Sequence, residues 1–181
     1  MSEIDGKTRV VLPLRRNRSE LDALKDWFEY NTFVRKRYFD FVSKRPEKVI
    51  AKDRGASFPS ILDITAHILY AYKSWFHMYE TGKWYLPETK GVSLREVKDL
   101  ETEVDSYITN FMKELTSRDL NNTLQYSFGS GKSKRLVRRR LVDMLWHLVE
   151  EELQHRGELN ALLWQDGINP PVTSWGKWKY G

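Results

Sequence analysis

The chain has 181 residues, 40% of them apolar and 30% charged, with 30 Lys and Arg against 25 Asp and Glu for a net charge of +5. These are globular proportions, which exclude a disordered tail or a collagen-like repeat, and the length fits one domain that buries its core without covalent staples. The absence of cysteine excludes disulfide frameworks, iron–sulfur clusters, thiolate zinc sites and cysteine nucleophiles.

Residues 19–44 carry the first helical pattern. Ser19 is a candidate N-cap with Asp22 three residues on, and Leu21, Leu24, Phe28, Thr32, Arg35, Phe39 and Val42 fall near one face. Pro46 prevents continuation, and residues 45–57 read as loop. A second helix starts between Ser57 and Ser60 and ends near Gly82, with Ile61, Ile64, Ile68, Ala71, Trp75 and Met78 as its stripe and Pro59 tolerated in its first turn. After a loop holding Pro87 and Gly91, Ser93 and Glu96 form a capping-box pattern for a third helix that reaches about Ser117. Residues 120–135 break the pattern, and the alternation of Leu124, Tyr126 and Phe128 before Gly129 and Gly131 allows a short hairpin. The fourth helix is expected from Leu136 to Gln165, ended by Gly167. Residues 168–181 form a tail expected to pack on the bundle, and residues 1–18 an N-terminal extension. Four long helices without a strong strand run predict an all-α four-helix bundle, a single domain over 1–181.

Polar residues that interrupt an apolar stripe are the informative ones. His67 lies on the flank of the second helix's stripe, three residues after Ile64 and four before Ala71. Glu151 and His155 are four apart on the last helix, so their side chains stand one above the other. With Leu148 as the stripe centre, His155 falls about 20° from it and Glu151 about 60°. A carboxylate buried alone is costly. A divalent cation accepting lone pairs from two imidazoles and that carboxylate removes the problem and keeps open positions for water or substrate. Spacing alone leaves the plainer readings open: a hydrogen-bonded core His and a solvated acidic turn.

Two stretches carry a family resemblance: SFPSILDITAHILYAYKSWF (57–76) and LWHLVEEELQHRGELNALLWQDG (145–167). They resemble the second and last helices of the DinB/YfiT-like superfamily of metal-dependent proteins, the last through its His-Arg-Gly motif. The resemblance implies a metal held by His67, Glu151 and His155, with Glu151 where the family often has His. It also implies a transferase or hydrolase that uses a metal-activated water or an external thiol cosubstrate, and a homodimer. His147, one turn before Glu151, and Asp63, one turn before His67, are candidates for supporting the ligands. Zinc, nickel, iron and manganese all accept such a donor set.

Two further signals carry less. GSGKS (129–133) lacks the first glycine of a phosphate-binding loop, since that position is Tyr126. KSKRLVRRR (132–140), helped by Arg15, Arg16 and Arg18, offers Arg138, Arg139 and Arg140 for anion or nucleic-acid contact. A solvated basic face at the start of the fourth helix is the plainer reading, so neither nucleic acid nor membrane is expected as a partner. No apolar run reaches the roughly 18 residues of a membrane span, and MSEIDGKTRVVLPLRR lacks the apolar stretch of a secretion signal. A cytoplasmic metalloenzyme is the expectation. The alternatives are a non-catalytic or stress-related metal-binding bundle and a basic accessory protein that binds nucleic acid.

Overall fold

Three serines start three of the four long helices. Ser19, Ser60 and Ser93 each accept the backbone N–H of the residue three positions on, opening α1 (Glu20–Ser43), α3 (Ile61–Thr81) and α4 (Leu94–Glu114). At Ser19 and Ser93 the acidic residue three positions on also bonds back to the serine N–H, completing a capping box. The computed structural model describes residues 18–181 except 86, 88 and 130; the expected N-terminal extension, with Arg15 and Arg16, lies outside them apart from Arg18. No helix among the described residues is long and apolar enough to cross a membrane.

α3 packs on α4 and on α5 (Leu141–Gln165), and α1 packs on the same two helices, which closes the bundle as a ring in the order α1, α4, α3, α5. Pro46 starts a one-turn helix, α2 (Glu47–Ile50), inside the segment read as loop, because Ile50 at its end is fully buried. The tail forms α6 (Trp175–Tyr180). Trp175 stacks on Trp27 at 5.8 Å, Trp178 packs on Tyr30 at 5.6 Å, and Lys179 pairs with Asp26, which also pairs with Arg18.

The fourth long helix begins at Leu141 and not at Leu136. Residues 135–140 are instead strand β2 (Arg135–Arg140), paired antiparallel with β1 (Thr123–Phe128). Only Arg140 of the basic run reaches the helix, as the N-cap of α5, where a cation opposes the macrodipole. Asp143, in the first turn, accepts from the backbone N–H and guanidinium of Arg140 and balances that charge.

One side chain from each long helix meets in a buried polar cluster. Arg35 of α1 donates to Glu152 of α5 at 2.5 Å and to Asp105 of α4 at 2.6 Å, and Tyr72 of α3 donates to the same Glu152 oxygen at 2.7 Å. Burial works against the Arg35 charge, but the Glu152 carboxylate, then Tyr72 and Asp105, push its pKa up. Burial followed by the charge of Glu152 raises the Tyr72 pKa, so the phenol stays a donor.

Glu101, on α4 one turn before Asp105, has a buried oxygen without a hydrogen-bond partner. Burial, then the Asp105 charge, push its pKa up to about 7 from 4.5. The native chain therefore binds more protons than the unfolded chain between those values, and this group removes stability as pH rises through them. Glu101→Gln is expected to raise the urea midpoint above about pH 7 and to converge with the unsubstituted protein below about pH 4.5.

Candidate metal centre

His67 projects from the second turn of α3 toward the middle of α5, where Glu151 and His155 lie one turn apart. Their facing atoms form a small triangle. His67 Nε2 is 3.1 Å from His155 Nε2 and 3.4 Å from Glu151 Oε1, and His155 Nε2 is 3.0 Å from the same oxygen. Donors bound to one ion at about 2.1 Å lie about 3.0 Å apart at octahedral angles and about 3.4 Å apart at tetrahedral ones. The triangle therefore fits a single first-row cation held on one face, with the opposite positions open. The donor set fits too, since two nitrogen lone pairs and one anionic oxygen suit a borderline divalent ion.

Neighbouring residues orient the rings. His155 Nδ1 lies 3.0 Å from Glu158 Oε2; a proton donated there leaves the Nε2 lone pair facing the triangle. Phe58, on the loop before α3, covers His67 with ring centroids 4.3 Å apart and meets His155 edge-on at 5.1 Å. Its ring keeps water from that side. His155 is buried, whereas the His67 and Glu151 side chains are 28% and 23% exposed, so the site opens on their side. The hydrogen bond with His67 is the main cause that holds the Glu151 carboxyl down at about 2, with His155 adding to it against the opposing effect of burial. The oxygen is thus an anion throughout the neutral range.

The supporting candidates divide. His147 Nε2 lies 3.7 Å from the second oxygen of Glu151, and its ring packs 5.1 Å from Trp75. With Glu150 and Glu151 it makes a second group of metal-capable side chains that shares Glu151 with the first. Asp63 is committed to the start of its own helix: one oxygen accepts from Ser60 Oγ at 2.6 Å and the other from the Gly91 N–H at 3.0 Å. Arg138, Arg139 and Arg140 are exposed on β2, where Arg138 donates to Gln125.

Sequence reasoning passed over Glu158 and Phe58. Glu158 was readable as the residue three beyond His155 on the same face. Phe58 stands in the SFPSI stretch, but only the folded loop shows which rings it covers. Glu158→Ala is expected to lower divalent-cation affinity roughly 10- to 100-fold without unfolding the protein, as read by chelator competition.

The family model described as the DinB family matches residues 19–180. Protein DinB of Bacillus subtilis (strain 168) is 21% identical over 158 residues, covering 82% of this chain and 89% of the relative. The crystal structure of a DinB-like protein from Bacillus cereus ATCC 10987 superposes with a TM-score of 0.63 at 19% identity, covering 84% of this chain and 97% of the other.

Proposed function

Because this chain belongs to the DinB family, we propose that it is a metal-dependent enzyme in which His67, Glu151 and His155 hold one divalent cation. The observation that carries this reading is the triangle of two imidazole nitrogens and one carboxylate oxygen, 3.0 to 3.4 Å apart, on facing helices. Zinc, nickel, iron and manganese all suit that set. An ion bound there supplies Lewis-acid chemistry, polarising an electrophile and activating a water or thiol nucleophile.

The chain's own residues set the conditions for that chemistry. Glu158 holds the His155 proton on Nδ1. Phe58 shields the buried side of the imidazoles, so a substrate approaches past His67 and Glu151. Glu151, in place of a third imidazole, lowers the charge of the complex by one and moderates its acidity. The chain has no cysteine, so a thiol nucleophile enters as a cosubstrate.

The test is titration of chelator-stripped protein with zinc, nickel, iron(II) and manganese, in which one ion per chain is expected. Cobalt(II) then serves as a spectroscopic probe. A shift of its absorption on adding a small thiol or azide is expected from an open coordination position. Failure to bind any of these ions removes the reading. Binding without response to added ligands leaves a closed, non-catalytic site.

A further inference from the structure

Glu151 stands midway between two histidines of α5. His147 is four residues before it and His155 four after, and each has a glutamate three residues on, Glu150 and Glu158. At that spacing the two rings flank the one carboxylate along the helix. The carboxylate is divided between them. His155 Nε2 faces Oε1 at 3.0 Å, and His147 Nε2 faces Oε2 at 3.7 Å. The far nitrogens match as well. His155 Nδ1 lies 3.0 Å from Glu158 Oε2, and His147 Nδ1 lies 3.5 Å from Glu150 Oε2.

Only Oε1 belongs to the triangle with His67. The gap at Oε2 is too wide for a hydrogen bond. Two donors about 2.1 Å from one ion, however, lie that far apart when they subtend about 120°. His147, Glu150 and Glu151 each bring a donor atom within 4.8 Å of the others. The His147 ring is also fixed, although it is 31% exposed. It packs against Trp75, which lies edge-on to Trp84 at 4.8 Å and to Tyr126 at 5.7 Å. A ring locked in this way, with Nε2 aimed at a carboxylate oxygen, is preorganised as a ligand.

We propose that His147 Nε2 and Glu151 Oε2 hold a second divalent cation, with Glu151 bridging it to the first. The inference rests on the triangle being an ion site. Glu150 is a positioning residue: it holds the His147 proton on Nδ1 and leaves the Nε2 lone pair toward Oε2. Ions paired in this way lie about 3.5–4 Å apart. The second ion has two protein donors against three for the first, and it meets the charge of the first. It therefore binds more weakly and fills only in excess metal. Open positions side by side on two ions suit a substrate that offers an oxygen to each, such as a phosphate or carboxylate ester.

Equilibrium dialysis of the full chain against manganese(II) tests this. Beyond the single tight equivalent, a second ion per chain is expected at an affinity at least about tenfold lower. The electron paramagnetic resonance spectrum of the doubly loaded protein is expected to be that of two spin-coupled ions. His147→Gln is expected to abolish the second step and the coupling while the tight step stays close to its parent value. Glu150→Gln, at a side chain 62% exposed, is expected to weaken the second step about tenfold. An unchanged thermal transition verifies the fold of both variants. A plateau at one ion per chain overturns the proposal and leaves the triangle standing. So does a second ion that His147→Gln retains, or one whose spectrum is uncoupled. No binding at all removes the triangle as well.

Discussion

Glu151→Ala binds divalent cations at least about 100-fold more weakly than the unsubstituted protein, by competition with a chromophoric chelator. The substitution removes the one anionic donor of the three and leaves two imidazoles that form a single edge of the triangle. Glu150 does not replace it: its carboxylate is 62% exposed and turned toward His147 Nδ1, 3.5 Å away. Because Glu151 lies at the rim, the metal-free variant stays within about 1 kcal/mol of the parent in stability. Glu151→His, which restores a third imidazole, retains a site with altered metal preference. An alanine variant that keeps full affinity would place the ion elsewhere.

Arg35→Ala lowers stability by about 3–5 kcal/mol in urea denaturation. Glu152 and Asp105 are only 2% and 7% exposed, and without the guanidinium both carboxylates remain buried without their cation. Arg35→Met combined with Glu152→Met recovers part of the loss, because the pair leaves together; Asp105 stays charged, as does Arg156, which lies 4.0 Å from Glu152. Lys36, 3.7 Å from Asp105, softens that remaining term. A loss under about 1 kcal/mol would show that water reaches these charges.

Local signals carried much of this molecule in plain sight. A serine followed three residues later by an acid starts a helix through bonds within one turn, so Ser19 and Ser93 were readable from neighbours alone. The long helices followed from the apolar period for the same reason. Strand β2 did not, because LVRRR has no strong preference of its own; its conformation comes from pairing with Thr123–Phe128 across the intervening turn. In the site, the angles about the α5 axis placed His155 inside and Glu151 on the flank, which the exposures match. Spacing could not say that His67 meets them, since that depends on the packing of α3 against α5. Arg35 was visible as a polar member of an apolar stripe, but its meaning lay in partners on three other helices. Glu151 and Glu152 are neighbours in sequence and about 100° apart around the helix, so only the surroundings tell the ion-facing carboxylate from the one locked in the core.

Asp26, in the second turn of α1, is held at once by Arg18 before the helix and by Lys179 of α6. With Trp175 laid on Trp27, the opening turns of α1 and the final segment make one cooperative patch. Amide protons in both stretches should therefore exchange with solvent at matched rates, and trimming the last seven residues should loosen the far end of the chain as well as the near one.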